Sequence, residues 1–396
     1  MDLDFMPSPV EDRPGLLIRD PYQFSEATLI VPPPLVQCLE LFDGEQTDLD
    51  LRETLVRITG ELNVSDLEQH LIGALSGAGF LHDETFQELR EERIREFAEA
   101  DIREPVHAGS AYPAEAGELR LALQNYMAGG AAPVQRNGLV GIAAPHVSPF
   151  GGWESYRAAY SAVRPEYRDR TFVILGTSHY GQPDMFGLTR KRFVTPLGET
   201  RTDLGLVEEL AAKAPGAVLM EDYCHAVEHS IEFQVVFLQH VFGPGIKIVP
   251  ILCGSYATSI YVGGEPEDNA DVAAFLGGLG NAAARDRDKL LFVLGIDMAH
   301  MGSRYNDDLA ALANQDQMVG VAERDRARIG RINEGDSRGF WELVKQNRDD
   351  LKWCGSAPLY TFLKAVPDAR GELLHYQQWN IDPQSVVSFA GMAFTA

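Results

Sequence analysis

Three apolar runs in this chain each end in a small residue, and each is followed within a few positions by a histidine. Residues 139–144 (Leu-Val-Gly-Ile-Ala-Ala) lead to Pro145 and His146. Residues 171–176 (Thr-Phe-Val-Ile-Leu-Gly) lead through Thr177 and Ser178 to His179. Residues 290–295 (Leu-Leu-Phe-Val-Leu-Gly) lead through Ile296, Asp297, Met298 and Ala299 to His300. Short apolar runs of this kind read as buried strands. Between them lie stretches with helical periodicity, and that alternation marks a layered α/β sheet. In open α/β sheets the functional crevice lies outside the carboxyl ends of the strands. If these strands are parallel neighbours, the three imidazoles share one crevice.

Further strands are expected at 246–252, 372–378 and 385–393. Helices are expected at about 115–128, 153–163, 203–213, 227–242, 267–284, 306–332, 336–348 and 356–365. There is no internal repeat, and no phosphate-cradling glycine motif such as G-x-x-x-x-G-K-[ST].

Two more features carry chemistry. The first is Cys224-His225-Ala226-Val227-Glu228-His229-Ser230-Ile231-Glu232. On a continuous helix Glu228 and Glu232 share one face, with His225 and His229 on the adjacent one. The spacing lacks the H-E-x-x-H of zinc peptidases, because Ala226 and Val227 stand where the Glu would be. This segment is therefore read as lining the crevice and orienting groups there, with His225, Glu228 and His229 behind the ligands. The second feature is Cys354, just before a helix whose first turn holds Pro358. A helix N-terminus favours the thiolate, the form that binds metal. A plain core cysteine is the bland alternative. The other cysteines, Cys38, Cys224 and Cys253, form no C-x-x-C, so neither a disulfide framework nor a zinc ribbon is expected.

The chain's 396 residues suggest two or three domains. Its 34 basic and 58 acidic residues leave a net charge of −24. That balance argues against nucleic acid, whose binding rests on clustered Lys and Arg, and against anionic lipid. No apolar run approaches the ~20 residues of a membrane helix. Residues 1–10 lack a basic start and apolar core, so no signal peptide is read and the expected location is cytoplasmic. Residues 1–104 hold 24 acidic and 8 basic residues and no lysine. The composition changes near 105, and three segments follow: a domain over 1–86, a charged linker helix over 87–104, and the α/β domain over 105–396. The first reads as strands at 15–20 and 27–31, helices over 35–42, 49–58 and from Ser65, and a wing strand starting at Phe80-Leu81. That pattern suits a small, mostly α winged-helix unit.

The whole pattern resembles a known family. Ala108-Gly109-Ser110-x-Tyr112-Pro113, Ala144-Pro145-His146, Leu175-Gly176-Thr177-Ser178-His179, Thr195-Pro196-Leu197-Gly198 with Asp203, His225-x-x-Glu228-His229-Ser230-Ile231-Glu232, Asp297-x-x-His300 and Cys354-Gly355 occur in order. With them, residues 105–396 resemble the Memo family, whose prokaryotic members include the AmmeMemoRadiSam system protein B. That family is similar in structure to LigB-type class III extradiol dioxygenases. The resemblance implies a three-layer α/β/α fold with a mixed sheet. It implies a metal site on His146, His179 and Cys354, with His300 at the acid/base position and Asp297 tuning it. Val147-Ser148-Pro149 stands where the family usually has Ala-Gly-Tyr, and Gly295-Ile296-Asp297 where it has Ser-Ser-Asp, so the pocket rim should differ. The "L-x-x-L" run ending in Gly79-Phe80-Leu81, with Leu41-Phe42-Asp43-Gly44, resembles PqqD-like peptide-recognition domains. That resemblance implies a peptide or protein partner for residues 1–104, and a radical-SAM system protein as an associate.

Two imidazoles and a thiolate suit one transition metal, iron or copper, with zinc as an alternative. Because a thiolate replaces the carboxylate of the dioxygenase triad, the fold alone does not imply ring cleavage. The expected role is a metal-dependent redox function. Two alternatives are a binding scaffold that keeps the pocket, and a metal-free Cys354–His300 hydrolase.

Overall fold

A computed structural model describes residues 3–10, 12–129 and 136–396. Met1 and Asp2, part of the stretch in which no signal peptide is read, lie outside the described residues. The chain forms two compact units, residues 1–99 and 100–396. The second unit begins before the composition change at 105. Ile102–Arg103 pairs in parallel with Arg192–Thr195, and the Arg103 side chain is buried.

The first unit opens with an antiparallel sheet of Asp4–Pro7, Leu16–Arg19 and Thr28–Val31. The stretch expected to be a helix after Pro33 is 3-10 from Pro33 to Leu41. Helices Asp48–Thr59, Ser65–Gly77 and Glu84–Glu99 follow. Ile18, Val31, Cys38, Leu55, Leu71, Leu75 and Phe80 form the core. No strand starts at Phe80-Leu81. Gly79, at φ +71°, turns the chain so that Phe80 enters the core. Asp83 then accepts the Phe86 N–H at 3.0 Å and starts the next helix. The expected linker helix is the end of this unit, and it buries Phe86 and Phe97.

The second unit is built on a ten-stranded mixed sheet. Its strands are β1 (Leu139–Ala144), β2 (Thr171–Thr177), β3 (Phe186–Leu188), β4 (Arg201–Thr202), β5 (Val218–Met220), β6 (Lys247–Cys253), β7 (Leu290–Gly295), β8 (His300–Gly302), β9 (Arg370–Asp382) and β10 (Ser385–Thr395). The order is β5-β3-β6-β2-β7-β1-β10-β8, with β4 beside β6 and β9 beside β10. The four central strands β6, β2, β7 and β1 are mutually parallel. Val173, Leu175, Val249, Ile251, Phe292 and Leu294 point into one core, which also takes Phe275, Ile329 and Phe362 from covering helices. The alternate residues Phe172, Ile174, Ile248, Leu252, Leu291 and Val293 point into a second core with Tyr156, Val236 and Phe237. Such alternation buries both faces of the sheet and gives three layers, α/β/α.

Two expected helices differ. The one expected from 306 begins at Gln317. The one expected over 227–242 is broken into Cys224–Val227 and Glu232–Phe242, with Glu228 extended at φ −75° and ψ 137°. Among the described residues no helix is long and apolar enough to cross a membrane.

Candidate metal site

β2, β7 and β1 lie side by side, so His146, His179 and the Asp297–His300 segment all leave the same edge of the sheet. The register pairs Gly176 with Gly295, and Gly295 with Ala144. Both glycines are needed for space. A Cβ on Gly176 would sit 2.5 Å from Ser230 Oγ, and one on Gly295 would strike the Ser230 carbonyl oxygen. The broken segment 228–231 therefore crosses directly over these strand ends. Ser230 Oγ fastens it there by donating to the Thr177 carbonyl at 2.8 Å.

That crossing brings His229 to His146 and His179. Ring centroids lie 4.9 Å apart for His146–His179, 5.0 Å for His146–His229 and 5.0 Å for His179–His229. One nitrogen from each ring lies within 4.8 Å of the others, so the group could hold a metal ion. All three Nδ1 atoms are already engaged. His146 Nδ1 donates to the Gly295 carbonyl at 3.0 Å. His179 Nδ1 lies 3.0 Å and His229 Nδ1 3.1 Å from Glu228 Oε1. With Nδ1 engaged, Nε2 is the nitrogen each ring could offer a metal, and that of His146 faces Cys354 Sγ at 3.2 Å. His146 and Glu228 are buried, while the His179 and His229 side chains are partly open.

The electrostatics differ across the site. Glu228 also accepts backbone N–H groups of His179, His229 and Ser230 at 2.9, 2.8 and 3.2 Å. Against burial, the charge and ring hydrogen bond of His179, and then those of His229, hold its carboxyl well below the usual range. Glu228 in turn holds His179 well above the ordinary imidazole value. Burial, with His179 and His229 nearby, keeps His146 well below it. Asp297 accepts the His146 backbone N–H at 3.0 Å, but burial dominates and pushes it up to about 7. Burial pushes His300 down to about 4.

Cys354 Sγ lies 3.2 Å from His146 Nε2 and 3.6 Å from the Asp297 carbonyl. Thr177 Oγ1 donates to the Cys354 carbonyl, and the Gly355 N–H donates to the Asp297 carbonyl, both at 3.0 Å. The helix beyond it starts at Ser356. Burial outweighs that helix end and the nearby His179, so the thiol is pushed up rather than toward thiolate. Asp325, absent from the sequence reading, supports the segments that carry Cys354 and His300. It accepts from Trp353 Nε1 at 2.7 Å and from Ser388 Oγ at 2.6 Å, and Ser388 Oγ accepts the Ala299 N–H.

Not every sequence candidate joins this group. His300 Nδ1 is bonded to the carbonyls of Met298 at 2.9 Å and Lys352 at 3.1 Å, and its ring meets Tyr305 edge-on. His225 is buried with Nε2 on the Gly187 carbonyl of β3 at 3.0 Å, and it packs on Phe193. It is a packed interior histidine. His229, read as a group behind the ligands, lies in one three-imidazole group with His146 and His179. The helix-face argument for Glu228 and Glu232 fails because the helix is broken between them. His107 was missed; its ring lies 5.7 Å from His229 and its Nε2 bonds the Val227 carbonyl at 3.0 Å.

A three-layer α/β protein with a half-open cluster of three imidazoles at its strand ends is the class these features define. A family model for Memo-like proteins matches residues 103–393, and the chain belongs to that family. A MEMO1 family protein of Aquifex aeolicus is 27% identical over 382 residues, covering 96% of this chain and 95% of its own length. One from Thermococcus kodakarensis is 31% identical over 264 residues, covering 63% of this chain and 85% of its own. The Aquifex similarity therefore extends beyond the family match into the first unit.

Proposed function

We propose that the strand-end crevice binds one transition metal and serves a metal-dependent redox reaction. The observation that carries this is the convergence of His146, His179 and His229, one nitrogen of each ring lying within 4.8 Å of the others. His146 and His179 would be two ligands, with Cys354 supplying a softer third. Imidazole and thiolate together suit iron, copper or zinc. Such a metal supplies polarisation of a bound oxygen atom and, for iron or copper, electron transfer. The chain's own groups do the rest. Glu228 fixes the His179 and His229 rings. Asp297, with its proton held to about pH 7, and neutral His300 are a proton donor and a proton acceptor on the other flank. The acidic first unit is proposed to dock a peptide or protein partner.

A second ligand set is favoured by one observation. His229 lies in the convergent group, whereas burial keeps Cys354 a thiol. In that set His229 replaces Cys354. Anaerobic purification and metal mass spectrometry test both. Near-stoichiometric iron or copper, lost in His146→Ala/His179→Ala, supports the site and warrants an oxygen-consumption screen. Loss in Cys354→Ser but not His229→Ala selects the sulfur set, and the reverse selects the three-histidine set. No metal after loading with iron, copper and zinc overturns the proposal and leaves a binding pocket.

A further inference from the structure

The broken helix has a specific cause, 122 residues away in the sequence. In an uninterrupted helix the His225 carbonyl would accept the His229 N–H, and the Glu228 carbonyl would accept the Glu232 N–H. Here a guanidinium takes both carbonyls. Arg103 Nε donates to the His225 carbonyl at 2.8 Å, and Nη2 to the Glu228 carbonyl at 2.7 Å. Nη1 donates to the Glu104 carbonyl at 2.8 Å and pairs with Glu232. Arg103 and Glu232 are both buried. Glu232 also accepts the Tyr112 hydroxyl and, at 3.1 Å, the His107 N–H. The freed His229 N–H goes to Glu228 Oε1.

We infer that Arg103 is a positioning residue for the metal site. Its planar fork replaces the helical donors at two carbonyls. The chain between them stays unwound, and Glu228 and His229 are delivered over the strand ends. Geometry supports a fork in particular, because the two carbonyls and the Glu232 carboxylate lie around one plane of N–H groups. An ammonium has no such fixed array. Tyr112 and His107 then act on the same turn through Glu232.

This inference rests on the reading of the crevice as a metal site, and its test has one arm that does not. Two variants are made in the full chain. Arg103→Lys keeps a charge for Glu232 but cannot span both carbonyls. Arg103→Met with Glu232→Gln removes both charges, so no buried charge is stranded. Circular dichroism confirms folding. In the first arm, imidazole ¹⁵N signals of metal-free protein are recorded. The His229 signal should carry the Glu228-bonded Nδ1–H signature in the native chain and lose it in both variants. In the second arm, zinc affinity is measured by chelator competition. It should fall about 10–100-fold, the usual loss when support behind a ligand is removed.

Lowered melting temperature with unchanged His229 signals and unchanged zinc affinity would mean a merely structural role, and would overturn the inference. If the native chain binds no zinc while the His229 signature is still lost in the variants, the metal reading fails and the positioning role stands. If Arg103→Lys behaves as native in both arms, a fork is not required and the inference fails.

Discussion

Glu228 and Asp297 stand on opposite flanks of the same imidazoles, both buried, and are held in opposite protonation states. Burial alone pushes any carboxyl up. Glu228 escapes because two imidazoles face and bond it, above all the strongly basic His179, while three backbone N–H groups also point at it. Asp297 has backbone donors at His146 and Val147, and its nearest imidazole is His146, which burial keeps neutral. The charge of the facing imidazoles, not depth, separates them. A pair of carboxyls set apart in this way divides one site into a charged, ligand-orienting flank and a neutral flank that can give up a proton.

The comparison is tested hardest at Glu228→Gln. An amide offers one acceptor where five donors converge, and its NH₂ faces donors. Removing one partner of a buried charge pair costs about 3–5 kcal/mol. At ~2 °C per kcal/mol for a large domain, the metal-free melting temperature should fall by roughly 6–10 °C. The pH dependence is specific. Glu228's folded value is depressed, so its contribution is complete above the ordinary carboxyl value of ~4.3 and is lost as pH falls through the folded value. His179's folded value is raised, so its contribution is complete below ~6.5 and is lost as pH rises through the folded value. The gap between native and variant should therefore be widest between about pH 4.3 and 6.5. A gap constant from pH 4 to 9 would break the charged-flank assignment.

The neutral flank was the more legible in sequence, and the reason is physical. β1, β2 and β7 are apolar along their whole length because both faces are covered, so the runs and the residues just past them stand out. His146, His179 and His300 follow directly from that pattern, while Asp297 came with the family resemblance. The role of His229 was not legible. Residues 227–242 carry a helical pattern, and the break depends on Arg103, whose own neighbours read as a charged linker. Nothing local at 225–232 records a donor arriving from so far away. Asp325 was hidden for the same reason, since it sits in the charged helix Gln317–Asn333 and its partners, Trp353 and Ser388, come from other elements. The missed 3-10 turn after Pro33 and the absent wing strand at Phe80 are local errors. Gly79, at positive φ, turns Phe80 inward instead of starting a strand.

Asp297→Asn should move stability the other way. Asp297 keeps its proton to about pH 7 in the folded chain and only to about 3.9 when unfolded. Its presence therefore lowers stability progressively as pH rises from about 3.9 to about 7, with no further loss above. An asparagine carries no such penalty, and its carbonyl can still accept the His146 N–H. The variant should melt with the native protein near pH 4 and above it at pH 8. Thermal melts across that range decide the point. A loss at pH 8 as large as that of Glu228→Gln would mean that Asp297 is ionised and that the two flanks are alike.

The smallest effect is expected at His300→Asn, and it bounds the neutral flank. His300 stays neutral down to about pH 4 because it is buried beside His179, while its unfolded value is ~6.5. The native residue thus costs stability as pH falls from ~6.5 toward 4, and the variant is free of that cost. At neutral pH the change removes at most one of the bonds to the Met298 and Lys352 carbonyls, about 1 kcal/mol. Any melting deficit at pH 7.5 should shrink or reverse by pH 5. Zinc affinity should stay within about twofold, because His300 bonds the Met298 and Lys352 carbonyls and no side chain proposed as a ligand. A loss of tenfold or more would place His300 among the metal's supports. The division between a flank that orients and a flank that titrates would then have to be redrawn around all four imidazoles.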